Sequence, residues 1–180
     1  MNRHDYYKLI DQQIPRNARI AIACVLEEEQ GYVNHASDRG GETNFGISSR
    51  WYPELDIADL SAAQAANIYY QDYWLKNYCH LLPPDIALII FDAAVNQGGK
   101  FARKTLQSLL NVTVDGIIGE RTLSAARELS DNDCWLLCVT FTQKRIEHYV
   151  NIVQSTPSQA VFLNGWVKRA FCIFKHIRIT

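Results

Sequence analysis

The chain has 180 residues, of which 48% are hydrophobic and 21% charged, and its formal net charge is −1. This length accommodates one core, or one core with a small added module. Nucleic-acid-binding proteins usually carry a basic surface, so the near-neutral charge argues against that class. No stretch approaches the roughly 20 apolar residues of a membrane span, so we expect no membrane insertion.

The cysteines and histidines indicate neither a disulfide framework nor a metal site. The five cysteines are an odd number without regular spacing, which argues against a set of disulfides. The five histidines are scattered, and neither an H-E-x-x-H nor a C-x-x-C motif is present. We therefore predict no metal and no cofactor.

The chain begins with a predicted amphipathic helix over residues 2–13, followed by a helix over 16–29. The first lacks the apolar segment of a secretory signal, so we expect a protein made in the cytoplasm without a signal peptide. The second carries an apolar run that ends in three glutamates, Glu27 to Glu29. Acidic residues usually stand at the opposite end of a helix because of the macrodipole. A local rule broken in this way indicates a functional position.

Residues 31–50 are rich in glycine and predict a loop or short hairpin. Asp38 lies nine positions after Glu29, and Thr43 lies five positions after Asp38. Glycoside hydrolysis needs an acid to protonate the leaving oxygen and a second polar group that holds water. A partly desolvated acid at a helix end suits the first role, and a polar turn facing it suits the second. Helical spacing alone does not choose between Glu28 and Glu29 as the acid.

Two segments of this region, EQGYVN from Glu29 and DRGGETNFGI from Asp38, resemble the "EGGYVN…DPGGxTNYGI" signature of glycoside hydrolase family 108. That family comprises N-acetylmuramidases of phage lysis and of protein secretion. The resemblance implies that Glu29 is the catalytic acid and that Asp38 and Thr43 support it. It also implies substrate contacts for Tyr32 and Asn44. The departures from the signature are Gln30, Arg39 and Phe45, none of which removes a catalytic group.

A helix predicted over residues 62–74 begins at an N-cap serine and carries four aromatic side chains. Its IYYQDYW string is similar to a segment of the same family, which places Tyr73 or Trp74 near the substrate. The next predicted helix, residues 85–97, is nearly all apolar and should be buried. It contains Asp92 and Asn96 on one face. A structural hydrogen-bonding role is the default for such a pair, whereas the resemblance suggests that Asn96 or Asp92 reaches the substrate groove or supports the loop that carries Asp38.

The glycines at 98 and 99 mark the expected boundary between a lobe of residues 1–98 and a module of residues 99–180. The order LQ…VDGIIGERTL over residues 106–123 resembles the helical peptidoglycan-binding module that follows the catalytic lobe in this family. Two further helices are expected over 131–153 and 158–177. The second contains Trp166 and Arg169 in a string similar to the "FxxGWxxR" end of that module, where they either pack or grip the wall.

We therefore expect a mainly α fold, with a lysozyme-like catalytic lobe, a small loop or β excursion, and a helical peptidoglycan-binding module. The expected activity is a muramidase that cleaves the β-1,4 bond between N-acetylmuramic acid and N-acetylglucosamine. The alternatives are a lytic transglycosylase and a wall-binding protein without activity. The expected partner is peptidoglycan, reached in the periplasm or cell wall by a monomer with the help of a holin or a secretion system.

Overall fold

The computed structural model describes residues 1–29, 31–33 and 41–177 of the chain. These residues form eight α-helices, short π- and 3₁₀-helical segments and one small antiparallel sheet. The mainly α fold with a small β excursion is thus confirmed. The chain divides into two compact units, Met1–Asp72 and Tyr73–Thr180. In the described part of the chain, no helix has both the length and the apolarity needed to cross a membrane.

The first unit contains helices α1 (Arg3–Leu9), α2 (Arg16–Glu28) and α3 (Ala62–Ile68), which contact one another. α1 begins with a capping box, in which Asn2 and Asp5 each accept a hydrogen bond from the other's backbone N–H. α2 supplies the core through a nearly unbroken apolar run: Ala18, Ala21, Ile22, Ala23, Cys24, Val25 and Leu26. Because this run is buried, the glutamates that follow it are held at a defined place.

The β excursion is a three-stranded antiparallel sheet in the order β1 (Tyr32–Val33), β2 (Thr43–Asn44) and β3 (Ile47–Ser48). Asn44 pairs with Ile47, so only Phe45 and Gly46 form the connection between β2 and β3. Both have left-handed backbone angles, with φ of 51° and 74°. Two such residues are what the type I′ turn of a tight hairpin requires.

The helix expected over residues 62–74 instead changes type at Tyr69. α3 ends at Ile68, and a π-helical segment, Tyr69–Leu75, continues the chain. At the junction the Tyr69 N–H donates to the carbonyls of both Ala65 and Ala66. A π-helical segment widens the turn and rotates the side chains that follow, and such segments are frequent at functional sites. The aromatic residues therefore do not share a single stripe.

The second unit consists mainly of helices. They are α4 (Pro84–Gln97), α5 (Gly99–Leu109), α6 (Glu120–Arg127), α7 (Asp131–Ser155) and α8 (Ala160–Phe174), with 3₁₀ turns at Cys79–Leu81 and Pro157–Gln159. α4 contacts α5, α7 and α8, and it is buried over nine consecutive residues from Ile86 to Ala94. The prediction of a buried central helix over residues 85–97 is confirmed.

Asp92 is 3% exposed and lies between two arginines of the following helices. Arg145 Nη2 donates to Asp92 Oδ2 at 2.6 Å, and Arg169 Nε donates to Oδ1 at 3.4 Å. Arg145, which is fully buried, also donates from Nε to Gln97 Oε1 at 2.8 Å. The structure thus gives Asp92 the structural role, because its carboxylate is enclosed by groups that neutralise it.

Replacing Arg145 with methionine is expected to destabilise the protein by about 3 kcal/mol, because one partner of a buried ion pair is lost. Urea unfolding followed by circular dichroism measures this change. Lys144→Met is the matched control. Lys144 forms an ion pair with Glu147 at 2.7 Å, close to the 2.6 Å of the Arg145–Asp92 pair, but both of its partners are exposed. The control should unfold close to the wild-type midpoint. Equal midpoints for both variants would contradict a structural role for the buried cluster.

Candidate active site

Glu29 directly follows α2, and its N–H donates to the Val25 carbonyl at 2.9 Å. The three neighbouring glutamates have different surroundings. Glu27 forms an ion pair with Arg3 at 2.6 Å, Glu28 is exposed, and Glu29 is half-buried. Helical spacing leaves open whether Glu28 or Glu29 is the acid. The surroundings of the two residues favour Glu29.

The backbone of the β2–β3 turn packs against the side chain of Glu29. A Cβ atom added at Gly46 would lie 3.2 Å from both Cγ and Cδ of Glu29. That distance is tighter than an ordinary carbon–carbon contact. Gly46 is itself exposed, so the acid meets the hairpin at the protein surface. The half-buried side chain of Glu29 thus lies beside a solvent-accessible turn.

β2 carries two of the predicted site residues in succession, so their side chains point to opposite faces of the sheet. Thr43 is half-buried and pairs with Val33 and Ser48. Asn44 is 7% exposed, and its Nδ2 donates to the Ile57 carbonyl at 3.0 Å. The buried amide anchors β2 to the loop that precedes α3. The predicted substrate contact of Asn44 stays a prediction.

Tyr32 in β1 lies opposite Asn44 in the sheet and is 48% exposed. Its hydroxyl donates a hydrogen bond to the Glu42 carboxylate. A half-exposed tyrosine ring with a satisfied hydroxyl can stack on a sugar face, so its predicted substrate contact stays open. Asp38, the second predicted carboxylate, lies outside the described residues, as does Gln30.

Tyr73 and Trp74 belong to the second unit. Trp74 is fully buried and packs against Phe91, with 5.6 Å between the ring centroids. A ring without exposed surface cannot stack on a sugar, so Trp74 is corrected to a core residue. Tyr73 is half-buried, and its carbonyl accepts a hydrogen bond from Asn77 Nδ2 at 2.7 Å. Its predicted substrate contact stays a prediction.

Two other predicted residues, Asn96 and Trp166, contact Tyr149 in the second unit. The Tyr149 hydroxyl donates to Asn96 Oδ1 at 2.6 Å, and its ring stacks on Trp166 at 5.3 Å between centroids. Trp166 stacks in turn on Phe162, which is 53% exposed. Burial raises the pKa of the Tyr149 phenol. We call Phe162, Trp166 and Tyr149 the aromatic ladder, since it leads from the surface into the core.

Arg169 is not part of the aromatic ladder and is not exposed at the surface. It is 8% exposed and donates to Asp92, so the structure gives it the packing role of the two that its sequence context allows. Asn96 is half-buried, and its amide oxygen is bound to Tyr149. Asn96 thus supports the ladder through this hydrogen bond, and its direct contact with substrate stays a prediction.

Residues 114–119 of the VDGIIGE string form a loop that precedes α6. Gln107, which is 1% exposed, hydrogen-bonds to this loop. Gln107 Nε2 donates to Asp115 Oδ1 at 2.7 Å and to the Ile117 carbonyl at 2.8 Å. Its Oε1 accepts from the Gly116 N–H at 2.7 Å. The Ile117 N–H and Gln107 hold the pKa of Asp115 below its usual range. This loop borders a cleft of about 280 Å³ that is also lined by Glu120 and Arg121 at the start of α6.

A larger and mainly apolar groove of about 540 Å³ lies between α7 and α8. Its lining includes Trp135, Ile146, Phe171 and Phe174. Within the described residues, no group of three or more histidine, cysteine, aspartate or glutamate side chains is arranged to hold a metal ion.

The sequence motifs do not single out four residues that the structure places in these sites. They are Tyr69, Gln107, Arg145 and Tyr149. The spacing of Phe141, Arg145 and Tyr149 at four-residue intervals on one helix face was the available signal, because an arginine on an otherwise apolar face needs a buried partner. Its partner Asp92 lies 53 positions away, which no local pattern reveals.

Two family models match successive segments of the chain. Residues 22–98 match the family model Glycosyl hydrolase 108, and residues 101–171 match the Predicted Peptidoglycan domain. The comparison with curated proteins gave no match. The compact units meet between Asp72 and Tyr73 rather than between these two segments, so the division after Gly98 stays a prediction.

A solved structure described as that of Brucella abortus SagA is similar to this chain, with 27% sequence identity and a TM-score of 0.73. The similarity covers 89% of this chain and 92% of that chain. The expected lysozyme-like fold is confirmed. This chain is a glycoside hydrolase that acts on peptidoglycan, in which a glycosyl hydrolase 108 segment precedes a predicted peptidoglycan domain.

Proposed function

We propose that the protein is an N-acetylmuramidase, which hydrolyses the β-1,4 bond between N-acetylmuramic acid and N-acetylglucosamine. The observation that carries this proposal is the half-buried carboxyl group of Glu29, in contact with the hairpin turn within the glycosyl hydrolase 108 segment. Glu28 is exposed and Glu27 is paired with Arg3, so neither has the same surroundings.

In the proposed reaction Glu29 donates its proton to the glycosidic oxygen as the bond to the sugar breaks. The ring that remains carries positive charge in the transition state, and water adds to its anomeric carbon. The added water loses a proton, so that the carboxyl group of Glu29 is protonated again at the end of the cycle. Thr43 stands on β2 two residues before the turn that contacts Glu29, which suits a group that holds this water. The same role for Asp38 rests on the family resemblance of its segment.

The biological setting that we propose is the opening of the cell wall, either for phage lysis or for the release of a protein or toxin. Both settings use the same hydrolysis in the periplasm or cell wall. Both also need a route to the wall, which a holin or a secretion system would supply. We propose a monomer in either case.

Glu29→Gln is expected to reduce peptidoglycan hydrolysis at least about a hundredfold, because a general acid contributes that much to catalysis. Glu28→Gln is the matched control and should retain wild-type activity, since its side chain is exposed. Mass spectrometry of the digest products identifies the new chain ends. Reducing N-acetylmuramic acid ends that disappear only in Glu29→Gln are the expected result.

Other product patterns would contradict this proposal. Anhydro ends would identify a lytic transglycosylase, which forms its product without water. Wild-type protein that binds peptidoglycan but releases no fragments would be a binding protein without activity. Equal activity of the two glutamine variants would remove Glu29 from the role of acid.

We further propose that the exposed end of the aromatic ladder contacts the glycan of the wall. Phe162→Ala, made in the Glu29→Gln protein so that the wall stays intact, should weaken co-sedimentation with peptidoglycan several-fold, because an aromatic stacking contact contributes about 1 kcal/mol. Phe171→Ala is the control, because Phe171 is a similarly exposed ring of α8 (46%) outside the ladder. Equal binding by the two variants would argue against the ladder as a glycan contact.

A further inference from the structure

The turn that contacts Glu29 has an uncommon backbone conformation. Phe45 has a φ of 51°, and Gly46 has a φ of 74°. Glycine adopts such angles freely, whereas phenylalanine does so at a cost in free energy. A strained residue of this kind persists only where its surroundings impose the conformation. The groups that hold Phe45 therefore determine the shape of the turn.

Two tyrosines of the first unit hold Phe45 from different sides. The ring of Tyr6 in α1 meets the Phe45 ring edge to face, at 6.2 Å between centroids and an angle of 87°. The hydroxyl of Tyr69 donates to the Phe45 carbonyl at 2.8 Å. Tyr69 is 2% exposed and stands where α3 gives way to the π-helical segment. Its own position is thus fixed by the core.

The same hydroxyl also lies close to Gly46 and hence to the acid. A Cβ atom added at Gly46 would be 2.7 Å from Tyr69 Oη and 3.2 Å from Cγ and Cδ of Glu29. The phenol and the glutamate therefore approach one backbone position from within the unit. A shift of the turn would change the contact of both groups with it.

We propose that Tyr69 is a positioning residue for hydrolysis, which holds the Phe45–Gly46 turn against Glu29 and so fixes the direction of the acid. This inference rests on the proposed function of Glu29. Tyr69 is buried, so it acts through the turn and does not contact substrate. Its loss should lower kcat and leave KM nearly unchanged, because substrate contacts remain while the acid loses its orientation.

The test compares Tyr69→Phe with Tyr52→Phe on soluble, uncross-linked peptidoglycan strands. Each variant removes one phenol hydroxyl that donates a single hydrogen bond in the first unit, since the Tyr52 hydroxyl donates to Asp72 Oδ2 at 2.7 Å. Tyr69→Phe should lower kcat by roughly tenfold to a hundredfold, the usual effect of a misplaced catalytic group. Tyr52→Phe should retain the wild-type kcat. Urea unfolding of both variants separates this effect from a general loss of stability.

Amide hydrogen exchange of the hairpin supplies a second readout that does not depend on activity. The amides of the Phe45–Gly46 turn and β3 should exchange faster in Tyr69→Phe and remain unchanged in Tyr52→Phe. Unchanged exchange, or an equal loss of kcat in both variants, would overturn the positioning role. If the turn loosens as expected but wild-type hydrolysis does not depend on Glu29, the proposed function fails and the catalytic part of this inference fails with it.

Discussion

The contact between Glu29 and the backbone at Gly46 is the constraint on which the proposed chemistry of the first unit depends. α2 brings the acid to this point because its apolar run is buried up to Leu26. The close approach of the hairpin suits a residue without a side chain, since a Cβ at Gly46 would lie 2.7 Å from Tyr69 Oη and 3.2 Å from Cγ and Cδ of Glu29. Sequence, turn conformation and catalytic geometry are thus linked at a single residue.

A different interaction organises the second unit. Asp92 of α4 is neutralised by Arg145 of α7 and Arg169 of α8, so one carboxylate joins three helices. α4 lies within the glycosyl hydrolase 108 segment, whereas both arginines lie in the predicted peptidoglycan domain. A chain cut after Gly98 would therefore expose an apolar helix and a buried charge. We therefore expect the two matched segments to depend on each other for folding.

The helical elements were predictable because their apolar residues recur at helical spacing, and the buried helix α4 is the clearest case. The run of glutamates pointed to a site, but helical phase could not separate Glu28 from Glu29. The family resemblance implied Glu29, and the packing of the hairpin turn against its side chain supports that choice. The change to π-helix at Tyr69 and the pairing of Asp92 with Arg145 were equally out of reach, because both depend on contacts between distant parts of the chain. The burial of Trp74 could not be predicted either, because an aromatic residue in a motif can face the core or a ligand with the same local sequence.

In the proposed reaction Glu29 protonates the leaving oxygen, and water adds to the anomeric carbon of the N-acetylmuramic acid residue. Digestion of peptidoglycan in heavy-oxygen water, with immediate borohydride reduction and mass spectrometry, tests this most directly. We predict one heavy oxygen on each new muramic acid end in the wild-type digest and no labelled ends with Glu29→Gln. Label on N-acetylglucosamine ends, unlabelled anhydro ends, or equal labelling by the variant would contradict hydrolysis at N-acetylmuramic acid with Glu29 as the acid.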